Sequence, residues 1–423
     1  MNILVIGSGG REHAICLSFS KSARAVKIYC APGNPGIASI AECVPINAED
    51  ISALADFAAS RSIDLTFVGG ETSLALGIVD EFENRGLKIV GPSKSAARLE
   101  ASKAFAKDFM ARNLVPTALY KSASSANEAI EILEAGEFGD ESRAVVVKAD
   151  GLAAGKGVVV ARDRAEGIHA VRSMAALVGS DAASTIVLEE CLIGREVSLL
   201  AFCDGKDFAL MPPTRDHKRI GEGDTGPNTG GMGTITDSSL LTDEQINEIV
   251  ETVIKPTLAG CATKAFPFRG ILFLGLMMNA DGPKVLEYNV RFGDPETQSI
   301  LVRLDADLID ICEAMLSGSL DQINIKWHPG SSATVVLAAK GYPLAPQKGD
   351  VIQGLGEASN IDGVTIFHAG TATGYDGAYV TSGGRVLGVT AIADDLDEAL
   401  SKSYSAVGLI SWDGMQYRRD IGR

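Results

Sequence analysis

The stretch VVVKADGLAAGKGVVVA, residues 145–161, decides how this chain is interpreted. Two apolar, β-branched runs flank a tip, residues 149–157, that is Gly or Ala at every position except Asp150, Leu152 and Lys156. The runs predict two strands, and so the stretch predicts a β-hairpin. Small residues make few side-chain contacts and lose much conformational freedom on ordering. We therefore expect a flexible tip that folds over a ligand.

This hairpin differs from the phosphate-binding loop of P-loop proteins. That loop has four residues between its glycines, Ser or Thr after its lysine, and a helix next. Here three residues separate Gly151 from Gly155, Gly157 follows Lys156, and a strand comes next. Lys148, at the end of the first strand, is expected to point toward whatever the tip covers. A plain hairpin loop is the alternative.

The composition bounds the class of protein. A length of 423 residues suggests two to four domains, and 46% hydrophobic with 22% charged residues is typical of globular proteins. A net charge of −16 disfavours nucleic-acid binding through a general basic field. The seven cysteines show no CxxC spacing, which argues against zinc and against a disulfide framework.

No segment predicts a membrane or a secretory role. The longest apolar run, ILFLGLMM at 271–278, is far shorter than the ~20 residues of a membrane helix. The N-terminus has neither a basic region nor a small-residue cleavage site. We therefore predict a cytoplasmic protein with no membrane and no nucleic-acid partner.

Residues 1–90 alternate strand-like and helix-like pieces, which predicts a parallel, doubly wound sheet. The segment NILVIGSGGREHA, 2–14, resembles a dinucleotide-binding turn, but Glu12 stands where the third glycine belongs and no ribose-binding acid follows the second strand. NAD is therefore disfavoured. Backbone N–H groups at the helix start, together with Arg11, instead favour a small phosphate-bearing substrate over a plain tight turn.

One helix is predicted over 96–113, with Phe105 and Phe109 on one face and Lys103 and Lys107 on the opposite one. From about 115 the pattern mixes strands, helix and hairpin pieces up to about 192. A larger segment follows to about 327, and short strands after that indicate a small α+β part. The chain thus divides into four pieces.

Three carboxylates, Glu189, Glu190 and Glu196, lie around a strand and a turn. They form either a solvated face or a connector that offers groups to a purine and a ribose. The segment at 212–233 combines Arg, Asp, His and Lys residues with a loop of six glycines. Long loops of this kind in a compact domain are usually functional or disordered, and the dense alternation of charges favours a ligand.

The segment KVLEYNVRFGDPETQ, 284–298, gives a stronger signal. Glu287 and Asn289 are two apart on a predicted strand, so their side chains leave the same face with Cα atoms ~6.8 Å apart. A carboxylate and an amide oxygen suit Mg²⁺, which usually takes one or two protein ligands beside phosphate oxygens. Arg291 continues on that face and suits a carboxylate or phosphate. A polar strand face toward water is the alternative.

Together these motifs resemble the ATP-grasp ligases, and within them the glycinamide ribonucleotide synthetase family. The resemblance spans essentially the whole chain. It is carried by GSGGREHA (7–14), APGNPG (31–36), VVKADGLAAGKGVVVA (146–161), RDHKRIGEGDTGPNTGGMG (215–233), LEYNVRFGDPETQ (286–298), FHAGT (367–371) and YRRDIG (417–422).

The resemblance implies an ATP-grasp fold with an N-terminal Rossmann-like domain (1–102), a small lobe with a mobile lid (103–192, lid from about 115), a large lobe with the metal site (193–327) and a C-terminal α+β domain (328–423). It implies ligation of glycine to 5-phosphoribosylamine with ATP and Mg²⁺ or Mn²⁺, through glycyl phosphate, in purine biosynthesis. The protein would be a monomer or a weak homodimer. The rivals are another ATP-grasp carboxylate–amine ligase of purine synthesis and a non-catalytic nucleotide-binding module.

The resemblance also implies roles for particular residues. The ATP-binding set is Lys103, Lys148, Gly151, Gly155, Lys156, Gly157, Glu189, Leu192 and Glu196. Glu287 and Asn289 are the metal ligands. The catalytic set is Asp216, Lys218 and Arg291, with Asp216 and Arg291 facing the glycine amine and carboxylate. The phosphoribosyl group falls to Gly9, Gly10, Arg11, Asn34 and Glu71, although VGGETSL (68–74) departs from the family's usual VGPEAPL.

Overall fold

The structure, a computed structural model, describes residues 1–152, 157–180 and 182–423. Its main framework is three sheets of five, four and nine strands, with helices packed against them. Two short two-stranded sheets complete the β structure of the described residues. The mixed α/β and α+β architecture predicted from the sequence is therefore present.

The five-stranded sheet is built from the first 90 residues: β1 (Asn2–Gly7), β2 (Lys27–Pro32), β3 (Glu42–Cys43), β4 (Leu65–Val68) and β5 (Ile89–Val90). Its order is β3-β2-β1-β4-β5 and every pair is parallel, as predicted. The order of the strands reverses between β1 and β4. In open α/β sheets ligands bind outside the carboxyl ends of the strands at such a reversal.

The helices of this region are α1 (Gly10–Ser20), α2 (Ile51–Ser60), α3 (Glu71–Leu76), α4 (Ile78–Asn84), α5 (Lys94–Ala101) and α6 (Lys103–Arg112), with a 3₁₀ turn at Ile37–Ser39. The prediction of one helix over 96–113 is wrong, because the chain breaks at Ser102. The Ser102 hydroxyl accepts the Phe105 N–H at 3.1 Å and donates to the Asp150 carboxylate at 3.0 Å. A local cap thus begins a new helix at Lys103.

The four-stranded sheet contains β6 (Tyr120–Ala123), β7 (Val145–Ala149), β8 (Val158–Ala161) and β9 (Ile186–Glu190) in the order β6-β9-β7-β8, with helices α7 (Ala126–Glu134) and α8 (Arg164–Val178). Strands β7 and β8 are antiparallel, and Lys148 pairs with Val158. The hairpin predicted at 145–161 is confirmed. Of its tip, Gly155 and Lys156 lie outside the described residues.

The nine-stranded sheet is formed by the rest of the chain. Its strands are β10 (Arg195–Asp204), β11 (Phe208–Leu210), β12 (Thr214–Asp216), β15 (Gly233–Thr236), β16 (Arg269–Asn279), β17 (Gly282–Asn289), β18 (Ser331–Ala338), β19 (Val364–His368) and β22 (Arg385–Ala393). The pairs β13 (Arg219–Gly221) with β14 (Thr225–Asn228) and β20 (Thr371–Thr373) with β21 (Tyr379–Thr381) stand apart. The order is β17-β16-β10-β12-β15-β18-β22-β19, with β11 beside β10.

This large sheet contains strands from both 193–327 and 328–423, so the two predicted pieces share one set of hydrogen bonds, β15 to β18. Its helices are α9 (Asp243–Ile249), α10 (Lys255–Thr263), α11 (Glu296–Leu301), α12 (Leu308–Ser317), α13 (Leu355–Ser359) and α14 (Leu396–Val407). A π-helical turn (Val250–Ile254) and two 3₁₀ turns (Ser238–Leu240, Leu320–Gln322) complete the list. The four-part division of the chain stays a prediction.

Two buried histidines join the first and last parts of the chain. The His368 N–H on β19 donates to His13 Nδ1 on α1 at 2.9 Å. The Asn34 amide donates to the carbonyls of Ser8 and His368 at 2.8 and 2.9 Å. Burial lowers the pKa of His13 to about 3 and that of His368 to about 4. Both rings are therefore neutral at pH 7 and act as uncharged packing and hydrogen-bonding groups.

The low pKa of His13 predicts a pH dependence of stability. Between pH 6.5 and about 3 the unfolded chain binds a proton at His13 that the folded protein does not. As the pH is lowered through this range, the contribution of His13 to the free energy of unfolding therefore decreases by up to about 1.4 kcal/mol per pH unit. The stability difference between the unaltered protein and His13→Gln should shrink from pH 6 to pH 5, measured by urea unfolding. A difference that is constant over this range would contradict the assignment.

Candidate active site

A cavity of about 820 Å³ lies where the three sheets meet. It is lined by side chains from α6, from β7 and β9 of the small sheet, and from β17 of the large one. Most residues of the predicted site line it: Arg11, Glu71, Lys103, Lys148, Gly151, Gly157, Glu189, Leu192, Glu196, Asp216, Lys218, Glu287, Asn289 and Arg291. The structure thus brings together residues that lie up to 280 positions apart in the chain, from Arg11 to Arg291.

Strand β17 carries an irregularity that sets which side chains face the cavity. Glu287 pairs with Gly275 and Val285 with Leu276, so Leu286 is an extra residue, a β-bulge. Val285 is fully buried in the core, whereas Leu286, Glu287, Tyr288 and Asn289 line the cavity, Tyr288 while also packing in the core. In a regular strand Val285 would share a face with Glu287 and Asn289. The bulge therefore lets Val285 face the core while Glu287 and Asn289 face the cavity.

Glu287 is an ionised carboxylate among cations. Burial alone would raise its pKa, but the charges of Lys218, Lys148 and Lys103 outweigh burial and lower it. The Asn289 side-chain oxygen accepts a hydrogen bond from Arg291 at 3.2 Å. The strand therefore offers one carboxylate and one amide oxygen, a donor set that fits a hard divalent cation with further ligands from phosphate and water.

The start of the hairpin tip is fastened to helix α6. Lys103 Nζ donates to the Gly151 carbonyl at 3.0 Å, and the Asp150 carboxylate accepts the Ala104 N–H at 3.0 Å. Burial is the largest influence on Lys103 and lowers its pKa. Its ammonium group therefore lies in a poorly hydrated position, where an anionic ligand would interact strongly with it.

Two lysines share one buried carboxylate at the floor of the cavity. Glu189 Oε1 lies 2.8 Å from Lys148 Nζ, and Glu189 Oε2 lies 2.8 Å from Lys107 Nζ. Burial and the charge of Lys148 lower the pKa of Lys107 to about 8, although Glu189 opposes them. The Glu189 side chain, which the family resemblance assigns to adenine contact, is thus engaged with these lysines.

A chain of alternating charges connects the N-terminal sheet to the end of β17. Arg291 lies 2.7 Å from Glu100 and 3.1 Å from Glu71, and Glu71 lies 3.9 Å from Arg11. Burial would raise the pKa of Glu71, but the two arginines outweigh it and lower the pKa to about 2. For Glu100 burial outweighs Arg291, and its pKa is raised. Arg291 is therefore held by resident carboxylates.

Glu12 occupies the start of helix α1. Its carboxylate accepts the Gly9 N–H at 2.6 Å and pairs with Arg11 Nε at 2.7 Å. A Cβ atom at Gly7 would lie 2.6 Å from Glu12, and one at Gly69 would lie 2.1 Å from it. Glu12 thus fills the cleft between β1 and β4 where a dinucleotide-binding turn would receive its pyrophosphate.

Three of the predicted phosphoribosyl residues do not line the cavity. Gly9 gives its N–H to Glu12, and Gly10 packs beside Gln298. Asn34 uses its amide to join Ser8 and His368, and its oxygen accepts the Ile37 N–H at 3.0 Å. Within the described residues these three lie behind the surface of the cavity. Of the motif GSGGREHA (7–14), Arg11 lines the cavity.

The far side of the cavity has a second group of charges. Lys218 lies 3.2 Å from Glu196. Burial raises the pKa of Asp216, and the negative charge of Glu296 raises it further. Burial also raises the pKa of Glu296. A Cβ at Gly231, whose φ is +109°, would lie 2.7 Å from the Asp216 carboxylate and 2.5 Å from Pro295. Only glycine lets the loop pass so close to Asp216.

Several residues that line the cavity were not predicted from the sequence. Lys107, Glu100 and Leu286 were not assigned to the site, nor were Asp294, Glu296 and Arg385. Asp294 and Glu296 stand inside the quoted motif 286–298 and could have been proposed from it. Arg385 pairs with Asp294 at 3.2 Å from a C-terminal strand, a contact with no local sequence signal.

Two further features of the structure concern clusters of metal-binding side chains and membrane-spanning helices. Over residues 1–152, 157–180 and 182–423 no group of three or more His, Cys, Asp and Glu side chains is arranged to hold a metal ion. A site with one carboxylate and one amide does not require such a group. In the same residues no helix is both long enough and apolar enough to cross a membrane.

Three consecutive segments match one protein family. Residues 1–100, 101–297 and 332–423 match the N domain, the ATP-grasp domain and the C domain of phosphoribosylglycinamide synthetase. Phosphoribosylamine–glycine ligases of Vibrio parahaemolyticus and Pseudomonas aeruginosa are each 47% identical over 428 residues. The alignments cover all of this chain and 98% and 97% of those relatives.

Solved structures agree. The crystal structure of phosphoribosylamine–glycine ligase from Thermotoga maritima superposes with a TM-score of 0.85 at 33% identity, covering 100% of both chains. A biotin carboxylase domain from Hydrogenobacter thermophilus, in complex with ADP and magnesium, gives a TM-score of 0.72 at 16% identity, covering 98% of this chain and 91% of that one. The latter likeness shows the fold alone.

The fold is thus the ATP-grasp fold, flanked by an N-terminal and a C-terminal domain, as predicted. The chain belongs to the phosphoribosylglycinamide synthetase family, the family that the sequence motifs indicate under the name glycinamide ribonucleotide synthetase.

The pairing of Arg291 with Glu100 gives a test of the site's electrostatics. Arg291→Met leaves the buried Glu100 without its cation and should cost about 3 kcal/mol in the free energy of unfolding. Adding Glu100→Gln removes the uncompensated charge and should recover at least half of that loss. Urea unfolding of both single variants and the double variant measures the coupling. A coupling below about 0.5 kcal/mol would contradict the pairing.

Proposed function

We propose that this chain ligates glycine to 5-phosphoribosylamine, using ATP and releasing ADP and phosphate, as a step of purine biosynthesis. Membership of the phosphoribosylglycinamide synthetase family supports this. The observation that carries it is the convergence in one cavity of lysines from both lobes of the ATP-grasp fold, the Glu287–Asn289 strand, and Arg11 with Glu71 from the reversal point of the N-terminal sheet.

ATP binds between the small and large sheets in this proposal. Lys103 and Lys148 contact its phosphates, and the tip from Gly151 to Gly157 covers them. Leu192 and the backbone beside Glu189 contact adenine, and Glu196 holds the ribose. The lining of the cavity by the described members of this set supports the assignment. The sequence assigns Gly155 and Lys156 to the same tip, and both lie outside the described residues.

Glu287 and Asn289 would hold Mg²⁺ or Mn²⁺. Their oxygens fit such a cation, and the lowered pKa of Glu287 keeps a negative charge available for it. The bound cation would neutralise negative charge on the phosphates of ATP as the γ-phosphoryl group is transferred.

Glycine and phosphoribosylamine occupy the remaining space. Arg291 receives the glycine carboxylate, and it can do so only by loosening its contacts with Glu100 and Glu71. Asp216 faces the glycine amine. Lys218 stands on the same side of the cavity and adds positive charge toward the transferred phosphoryl group. The phosphoribosyl group lies against Arg11 and Glu71, with Gly9, Gly10 and Asn34 behind them.

The reaction has two bond exchanges. A carboxylate oxygen of glycine attacks the γ-phosphorus, and the bond from that phosphorus to the bridging oxygen of ADP breaks. The amine of phosphoribosylamine then attacks the carbonyl carbon of glycyl phosphate, phosphate leaves, and the nitrogen gives one proton to the departing phosphate. Positioning and charge neutralisation suffice for both steps, and no covalent enzyme nucleophile is involved.

We propose that the enzyme acts in the cytoplasm as a monomer or a weak homodimer, with small molecules as its partners. The proposed parts remain the N-terminal domain 1–102, the small lobe 103–192, the large lobe 193–327 and the C-terminal domain 328–423.

Phosphate release tests the reaction directly. The purified chain is incubated with ATP and Mg²⁺, and glycine or freshly generated phosphoribosylamine is omitted in turn. Release should require both substrates and should be lost when alanine replaces glycine. Release with a different carboxylic acid would identify a sister ligase instead, and ATP binding without release would identify a binding module.

Glu287→Gln tests the metal end of the site. The variant removes the charge that would bind Mg²⁺ and should lower kcat by about 10²-fold or more. Asp281→Asn is the matched control, because Asp281 is exposed at the turn of the same hairpin. Circular dichroism checks that both variants fold. A Glu287→Gln variant with near-normal turnover would exclude the metal assignment.

A further inference from the structure

The β-bulge at Leu286 is held by side chains from outside its own hairpin. Lys148 Nζ donates to the Leu286 carbonyl at 3.1 Å, and the Thr117 hydroxyl donates to the Val285 carbonyl at 2.6 Å. Lys107 Nζ donates to that same Thr117 oxygen at 2.7 Å. A bulge leaves its extra residue out of the regular ladder, so such groups need other partners. Here the consecutive carbonyls of Val285 and Leu286 accept hydrogen bonds from the Thr117 hydroxyl and from Lys148.

These contacts form one connected, buried network. Lys107 is 2% exposed, Glu189 is 1% exposed and Lys148 is 6% exposed. Glu189 joins the two lysines, with 2.8 Å to each. The Val285 N–H donates to the Pro116 carbonyl at 2.8 Å, so the segment before Thr117 also pairs with this strand. The network thus ties helix α6 and the small sheet to the strand that carries Glu287.

The charge count of the network is informative. Two ammonium groups share one carboxylate, which leaves one positive charge in excess in a buried position. Without Lys107, Glu189 would neutralise Lys148 completely. A buried excess charge is costly unless a counter-ion accompanies it. Lys148 lines the cavity on the side of Glu287, whose pKa it helps to lower. Glu287 is therefore its resident counter-ion, and an anion in the cavity would take over that role once Glu287 holds a divalent cation.

We propose that Lys107 is a positioning residue for the polyphosphate and metal end of the nucleotide, an inference that rests on the proposed function. Through Glu189 it leaves the charge of Lys148 available to the phosphates. Through Thr117 it fixes the bulge that turns Glu287 into the cavity. Lys107 does not touch the reacting atoms; it acts through Lys148 and through the strand.

The first test separates charge from packing. Lys107→Met keeps the length of the side chain and removes its charge, and it should raise the dissociation constant for ATP about tenfold while that for adenosine changes less than about twofold. Lys107→Arg keeps the charge and should keep ATP affinity. Lys94→Met is the control, because Lys94 is exposed on the neighbouring helix α5. Titration calorimetry on the full chain in Mg²⁺ measures all four proteins.

The second test isolates the arm to the bulge. Thr117→Val removes only the hydroxyl, and it should leave the affinity for ATP without metal unchanged. Mg²⁺ should still increase the affinity for ATP, but the Mg²⁺ concentration that gives half of this increase should be severalfold higher in the variant. If Lys107→Met does not fold, the result with Thr117→Val by itself decides whether the proposal stands.

Three results would overturn the proposal. They are unchanged ATP affinity in Lys107→Met, equal losses of ATP and adenosine affinity in it, and an unchanged Mg²⁺ response in Thr117→Val. The proposed function fails on a different observation, namely an unaltered protein that binds ATP but ligates nothing. An unaltered protein that binds no ATP would overturn both.

Discussion

The pairing of buried and partly buried charges is the constraint on which this structure depends. A buried cation needs a carboxylate close by, and in this cavity the partner often comes from a different part of the chain. Arg291, after β17, is held by Glu100 of α5 and Glu71 of α3. Arg385, on a C-terminal strand, is held by Asp294. These pairs fix the N-terminal, central and C-terminal parts against one another around a single cavity.

The same pairs explain how a chain with a net charge of −16 can serve anionic substrates. Eleven Lys and Arg residues line the cavity against ten Asp and Glu residues, whereas the whole chain has 38 basic and 54 acidic residues. The resident carboxylates act as counter-ions that a substrate joins or replaces. At Lys148 the count leaves a positive charge over, whereas at Arg291 two carboxylates outnumber one guanidinium. A phosphate is therefore favoured near Lys148, whereas a substrate carboxylate reaches Arg291 only by displacing one of its two resident carboxylates.

Much of this was predictable from the sequence, for physical reasons. The alternation of strands and helices predicted the parallel sheet, and the two apolar β-branched runs predicted the hairpin at 145–161. The spacing of Glu287 and Asn289 placed both on one strand face. What periodicity could not give was the bulge at Leu286, because one extra residue leaves the pattern around it looking regular.

Long-range contacts were likewise out of reach. The break at Ser102 combines a local cap on the Phe105 N–H with a hydrogen bond to Asp150, 48 residues away. Lys107 was assigned to the correct helix face, yet its role depends on Glu189 and Thr117, which only the folded chain brings near. Such residues are recognised when the partners of every buried charge are traced in three dimensions.

The most direct measurement follows an oxygen atom. Glycine labelled with ¹⁸O in its carboxylate is turned over with ATP and phosphoribosylamine, and the released phosphate is analysed by mass spectrometry. If the cavity joins the carboxylate to the γ-phosphoryl group before the amine attacks, each phosphate carries one ¹⁸O from glycine. Unlabelled phosphate alongside the ligated product would contradict that order of events and the arrangement of the site on which it is based.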